Sequence, residues 1–407
     1  MGILVKIKGL LPKSRVFYEN SKITEIDLSG ITFEKLPKIF MAFPEVKKVT
    51  IESNLTTIPD EIQEMSDLQY LNISLNNFSE IPKCLRNLEN LKELVIYSNK
   101  PKSETPIELN GFENVSQITK LKLDRTYLEK IPDSLKYLKD LETLEMKNCG
   151  LRNIDNICSL VNLKEAYLNK NGIEKIPSCI SQLKQLENLE ISIYNTQEAD
   201  PIFPNSFGEL QKLKSLLFQR CYSKISQLPE CLTNLNNLEI LHLYETNFTL
   251  PDSINKLSKL KELIVTENYT IKKLPANIGW CENIEKITVR DTNIKDVSGS
   301  LTNLQNLRYL DLSHNKIKRL PENLEKWKKL EYLDLTYNPI EYIPESIGKL
   351  SSLKDLYIID TPDGDFMIPK TIIELKNLES TDLYRLRDSN ELWIREFVKT
   401  IISKQKE

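Results

Sequence analysis

The sequence predicts an α/β solenoid, a curved horseshoe with a parallel sheet on its concave face and short helical or 3₁₀ turns on its convex face. Three observations predict it. An eleven-residue pattern, L-x-x-L-x-L-x-x-N-x-L, recurs in sixteen registers, most copies lie 22 or 23 residues apart, and the sixth position is apolar in every copy. Self-similarity at a period of this size is the signature of a stacked-repeat architecture.

The registers open at Ile23, Val46 and Leu68 and continue to Leu330, Leu353 and Leu378. Positions 4 and 6 alternate as a short strand does, so their side chains point inward and stacked copies make a parallel sheet. Position 9 turns the chain away from the strand, and a polar side chain buried there must satisfy backbone groups of the adjacent coils. Asn54, Asn76, Asn99, Asn171, Asn268, Asn315 and Asn338 occupy it, with Thr126, Thr246, Thr292, Thr361, Cys149 and Cys221 as substitutes. Ile31 and Tyr194 depart from the pattern, so this ladder is expected to be weakest there. Pro82, Pro132, Pro177, Pro321 and Pro344 follow, where a missing N–H costs nothing at the start of a turn.

The ends call for caps, because a solenoid must cover its terminal core. Residues 1–22, with Ile3, Val5 and Ile7 alternating, read as an N-terminal cap; the solenoid of about fifteen repeats occupies 23–385. Asp388-Ser389-Asn390-Glu391 then offers a capping box, and apolar residues from Leu392 to Ile402 follow at helical spacing. Residues 386–407 are therefore expected to form a capping helix.

Composition narrows the function. Net charge is −3, from 55 basic and 58 acidic residues, so electrostatics give no reason to expect nucleic acid as the partner. No stretch approaches the roughly 20 apolar residues of a membrane span. The seven cysteines lack CxxC spacing. Cys84, Cys179 and Cys231 share one slot of the repeat, with Cys158 close by, and read as packing residues in a reducing compartment. The sequence as it stands fits the cytoplasm; a bacterial secreted or surface protein is the alternative. Asn54-Leu55-Thr56 and Asn268-Tyr269-Thr270 are glycan acceptors whose Asn is expected to be buried, which argues against a eukaryotic secretory route.

No catalytic constellation is present: the only two histidines are His242 and His314, and no P-loop, G-x-S-x-G or H-E-x-x-H occurs. His314 and Asp291 are too few for a dedicated metal site. Asp360 to Asp365 lacks calcium-loop spacing and reads as an Asp-Gly turn. No enzyme activity, cofactor or metal is expected.

Binding is what remains, on side chains that leave the strand outward, at positions 3, 5, 7 and 8. Ile193, Leu217, Ile240, His242, Tyr244 and Ile264 are expected to form one exposed apolar and aromatic patch, which gains nothing until a partner covers it. A second cluster joins Tyr309, Tyr332, Tyr337 and Tyr357 with Asp311 and Asp334, and its acidic surround predicts a partner bearing Lys or Arg. Two repeats stretch to 27 residues, adding insertions at 100–117 and 195–210 that could frame the face.

The repeat Leu330 to Ser352, LEYLDLTYNPIEYIPESIGKLSS, resembles the 23-residue class of the leucine-rich-repeat superfamily. It is similar to the class found in spirochaete bacteria, in plant Ras-group-related proteins and in cell-polarity scaffolds. The excess of Lys over Arg, with abundant Asn and Ile, suits an AT-rich genome and a bacterial source. The resemblance implies a protein-binding module, monomeric or weakly self-associating, in bacterial interaction with a host. An intracellular scaffold of a GTPase or phosphatase and a receptor for a small ligand or glycan are the alternatives.

Overall fold

The computed structural model describes residues 16–20, 22–29, 43–51, 58–74, 79–98, 106–195, 202–223, 226–358, 367–383 and 392–404. Ile3 to Ile7, Ile31, Asn54, Asn76, Asn99, Asp360 to Asp365 with Thr361, the capping box at 388–391, and parts of both long insertions lie outside these residues. The chain divides into two compact units, residues 1–195 with 199–210, and 196–198 with 211–407.

In the first unit, β1 (Val16–Glu19) runs antiparallel to β2 (Lys22–Asp27). Parallel strands follow in chain order: β3 (Lys48–Ile51), β4 (Tyr70–Ser74), β5 (Glu93–Tyr97), β6 (Lys120–Asp124), β7 (Thr143–Lys147), β8 (Glu165–Ile173) and β9 (Asn188–Asn195). The second unit is parallel throughout: β10 (Ser215–Ser223), β11 (Ile240–Thr246), β12 (Glu262–Asn268), β13 (Lys286–Thr292), β14 (Tyr309–Asp311), β15 (Tyr332–Asp334), β16 (Asp355–Tyr357) and β17 (Ser380–Thr381). The one α-helix among the described residues, α1 (Leu392–Lys404), follows and buries Val398 and Ile401. Among the described residues no helix is long and apolar enough to cross a membrane.

The repeat pattern sets each coil. Leu121 and Leu123 are buried while Lys120, Lys122 and Asp124, which alternate with them, are half-exposed, as period-two alternation requires. A 3₁₀ turn then opens behind a proline, as at Asp133–Tyr137 after Pro132 and Glu345–Lys349 after Pro344. Gly348 allows that turn to touch the next coil, since a Cβ there would collide with the Thr371 carbonyl.

The position-9 asparagines tie coil to coil. Asn338 donates to the carbonyls of Leu312 (2.8 Å), Leu335 (3.0 Å) and Thr336 (3.3 Å), while its oxygen accepts from Ile317 N at 3.0 Å. Asn171 and Asn315 donate in the same way. Asn268 is fully buried and donates to the Phe248 carbonyl at 2.7 Å. A second asparagine row, one residue before position 1, was not read from the sequence. Asn162, Asn237, Asn283, Asn306 and Asn377 each donate to a carbonyl of the preceding coil, at 2.6–2.9 Å.

Position 8 is left-handed in most described coils, Ser98 and Ile193 being the exceptions. Arg125, Asn148, Lys170, Arg220, Glu245, Glu267, Asp291, His314 and Tyr337 have φ between 49° and 59°. This single residue breaks the alternation and turns its own side chain outward, so that position 9 can turn in. Ile193 corrects the expectation placed on it. A β-branched residue strongly disfavours φ > 0, and Ile193 is not among the positive-φ residues. Strand β9 therefore stays extended, and Leu189, Ile191 and Ile193 all face inward. Ile193 is fully buried rather than part of an exposed patch. Tyr194 is thrown out to 55% exposure, and Asn195 takes the ladder role one residue late, donating to the Glu174 carbonyl at 2.8 Å. Ile193→Ala should thus destabilise the protein by about 2–5 kcal/mol in urea unfolding, as a core truncation does; a surface residue would cost under about 0.5 kcal/mol.

The cysteines bring a second correction. Cys84, Cys149, Cys221 and Cys281 are buried free thiols, as packing residues should be, but Cys158 and Cys179 are joined in a disulfide. Their separation of 21 residues is close to one repeat, so the coil winding brings them together.

Candidate interaction face

The second unit carries most of the side chains singled out in the sequence. Leu217, His242 and Ile264 are cross-strand neighbours on β10, β11 and β12. All three are half-exposed on the outward face, as are Ile240 and Tyr244. Apart from Ile193, these apolar and aromatic side chains lie on the adjacent strands β10 to β12. Its border is polar: Arg220 pairs with the Glu245 carboxylate, and the Tyr244 hydroxyl donates to Glu245 Oε1 at 3.3 Å.

His242 sits among apolar neighbours, and this burial, with a smaller push from Lys286, lowers its imidazole to about 4. It is neutral at pH 7 and belongs electrostatically to the patch. An unfolded histidine titrates near 6.5, so between about 6.5 and 4 the unfolded chain binds more protons than the folded one. Stability is expected to fall as pH drops through that window and to level off below it. His242→Gln should flatten this part of the pH–stability curve. An NMR titration midpoint for His242 near 6.5 instead would mean that the patch is fully hydrated.

The second cluster lies on β13 to β16. Tyr309 and Tyr332 stack with ring centroids 4.2 Å apart and planes 7° from parallel, and Tyr357 follows at 5.7 Å from Tyr332. Lys286 Nζ lies 5.4 Å from the centre of the Tyr309 ring. A parallel stack forms at position 8, where His314 and Tyr337 lie 4.2 Å apart and His314 Nδ1 is 3.5 Å from Asp291. Among the described residues no group of three His, Cys, Asp or Glu side chains is placed to hold a metal ion.

The acidic residues depart from expectation. Asp311 is only 6% exposed, and its Oδ1 accepts from Ser313 N (2.9 Å) and Ser313 Oγ (2.6 Å). Asp334 treats Thr336 identically, at 2.9 and 2.7 Å. Their first task is to close the turn after the strand. Burial nonetheless raises the Asp311 carboxyl above its ordinary range, with Asp334 adding to the effect. Asp311 is therefore withdrawn from the contact surface, while half-buried Asp334 stays at its edge.

On the outward face of the first unit, by contrast, charges neutralise one another. Lys122 and Lys147 approach Glu145 at 3.0 and 3.6 Å, and Lys147 lies over Tyr167 at 5.1 Å. Two further features escaped the sequence reading. Trp280 is 61% exposed on an outer turn. At position 2 of the second unit, Lys214, Glu239, Lys261, Glu285, Arg308, Glu331, Lys354 and Glu379 alternate strictly in sign. Contacts such as Lys261–Glu239 (2.7 Å), Arg308–Glu331 (2.6 Å) and Lys354–Glu331 (2.9 Å) follow. Each exposed pair adds little stability, but mispairing by one coil would set like charges together.

Comparison with known proteins follows the same lines. A family model described as a leucine-rich repeat region matches residues 295–403, and one described as a BspA-type leucine-rich repeat region, in six copies, matches residues 12–92. The human volume-regulated anion channel subunit LRRC8B is 27% identical over 268 residues, covering 64% of this chain and 32% of that protein. The chain thus spans about a third of the length of such curated relatives. Among solved structures, a Leptospira interrogans leucine-rich-repeat protein aligns with a TM-score of 0.70 and 24% identity, over 90% of this chain and 92% of its own. An internalin of Listeria monocytogenes aligns with a TM-score of 0.51 and 16% identity, over 93% and 94%. At these identities the structural likeness speaks for the fold. With family models at both ends, the coil pattern between them and this shared architecture, the chain is a leucine-rich-repeat protein.

Proposed function

We propose that this protein is a non-enzymatic protein-interaction module that holds a macromolecular partner on the sheet face of its second unit. The observation that carries the reading is the in-register row Leu217–His242–Ile264, flanked by Ile240 and Tyr244. Apolar side chains in such a row gain nothing from water and gain area when covered. The Tyr309–Tyr332–Tyr357 rings extend the surface with rigid contact groups that lose little entropy on binding. Asp334 and Asp355, half-exposed beside them, favour a partner with Lys or Arg at that end. A bacterial, host-directed setting is the one we favour, on the Lys-, Asn- and Ile-rich composition and the repeat class.

A small-ligand receptor would need an enclosed cavity at Leu217 and Tyr244. The grooves near 990, 810 and 370 Å³ are lined by other residues, such as Lys354 and Lys376, Ile107 and Arg152, or Glu142 and Lys164. A photo-crosslinking residue placed at Thr288, between the two clusters, should capture a partner from source-cell or host extracts. The same group at Lys326, on an outer turn, should capture none. Capture from Lys326 alone would reject the face.

A further inference from the structure

We propose that Cys158 and Cys179 form a thiol–disulfide exchange site that staples two consecutive coils of the first unit, with Cys179 as the sulfur through which exchange enters. Cys158 lies in one outer turn, Asp155–Ser159, and Cys179 lies in the next, Ser178–Gln182. Their Cα atoms are 5.8 Å apart, within the range a disulfide spans without moving the backbone. The second turn is itself tied to a third, since the Ser206 hydroxyl donates to the Ser178 carbonyl at 2.6 Å. The bridge therefore fastens a continuous stretch of coil edge.

Two features make the site selective. Cys158 is only 5% exposed, whereas Cys179 is half-exposed, so an attacking thiolate reaches Cys179 Sγ and not Cys158 Sγ. Three of the buried cysteines compete poorly: burial pushes the Cys84 thiol up to about 11 and those of Cys149 and Cys281 up to about 12, leaving almost no thiolate at neutral pH. In the closing direction, the Cys179 thiolate attacks a disulfide oxidant such as oxidised glutathione and expels one glutathione thiolate. The Cys158 thiolate then attacks the Cys179 sulfur of the mixed disulfide and expels the second. Two protein thiols lose two electrons and two protons, and one glutathione disulfide becomes two thiols. Opening is the reverse, begun by reduced glutathione at Cys179.

The test uses the full chain equilibrated with glutathione, trapped with iodoacetamide and peptide-mapped without reductant. At the glutathione ratio of an oxidising compartment, a linked Cys158–Cys179 peptide is expected while Cys84, Cys149, Cys221 and Cys281 remain thiols; alkylation of both Cys158 and Cys179 there would overturn the proposal. The single variants fix the direction. In Cys158→Ser, Cys179 should react with oxidised glutathione at least about ten-fold faster than Cys158 does in Cys179→Ser; equal or inverted rates would overturn the entry point. Reduction should lower the melting temperature by roughly 5 °C in the native chain and not at all in the Cys158→Ser/Cys179→Ser double variant. An equal response in both would show that the staple carries no load.

Discussion

Asn338→Asp should be among the most damaging single-atom changes available in this chain. The carboxamide nitrogen donates to three carbonyls from two coils, and the side chain is fully buried. Replacing that nitrogen with a carboxylate oxygen turns three attractions into repulsions and places a charge where no water reaches it. The expected loss is about 3–5 kcal/mol at pH 7, measured by urea unfolding. The pH dependence identifies the cause. Burial would raise the folded-state pKa of the new Asp above the unfolded value near 3.9. The folded form then binds more protons above that value, so the penalty grows as pH rises from about 4 and shrinks as it falls. Asn338→Ala removes the same donors without adding charge, and its smaller loss should be nearly independent of pH. Equal, pH-flat losses in the two variants would show that the site hydrates and that the ladder is not dry.

That prediction rests on a feature fully legible in sequence, because the position-9 asparagine recurs with the period and the period dictates its burial. What periodicity could not reveal is a residue that alters the geometry of its own coil. Position 8 must be left-handed for position 9 to turn inward, and Ile193 refuses that conformation. The pattern assigned Ile193 to the surface, whereas the backbone keeps β9 extended and buries it. The signal was present, a β-branched residue in a slot whose left-handed occupants are Asn, Asp, His, Glu, Arg, Lys and Tyr. It lay in the backbone requirement of the slot rather than in its hydrophobicity. Asp311 illustrates a second limit. Its D-x-S spacing, repeated as D-x-T at Asp334, marks a side chain that closes the turn. A tally of outward charges counts it as surface all the same. The Cys158–Cys179 bridge shows a third: neither cysteine stands in a recognised motif, and only their separation by about one coil brings them together.

The apolar row on β10 to β12 leads to the largest functional prediction. Leu217→Asp together with Tyr244→Ala should abolish partner capture, with an affinity loss of about 3–5 kcal/mol, or roughly 100- to 5,000-fold in Kd. The two changes act through different terms. Leu217→Asp puts a charge in the middle of a surface that must become dry, and covering a carboxylate with no cationic partner costs more than the leucine ever contributed. Tyr244→Ala removes aromatic area at the edge of the patch and releases the Glu245 carboxylate from the phenol. Stability should change far less than binding, because both side chains are half-exposed in the free protein and neither fills the interior. In strand β10 the buried positions are Leu216 and Phe218, and Leu217 faces away from them. The measurement is therefore paired: binding by titration calorimetry against the captured partner, and melting temperature on the same preparation. Loss of both together would mark a folding defect. Retention of binding with an unchanged melting temperature would remove β10 to β12 from the interface and shift attention to the tyrosine stack. There Tyr332→Ala would remove the ring against which Tyr309 and Tyr357 pack, without touching the apolar row.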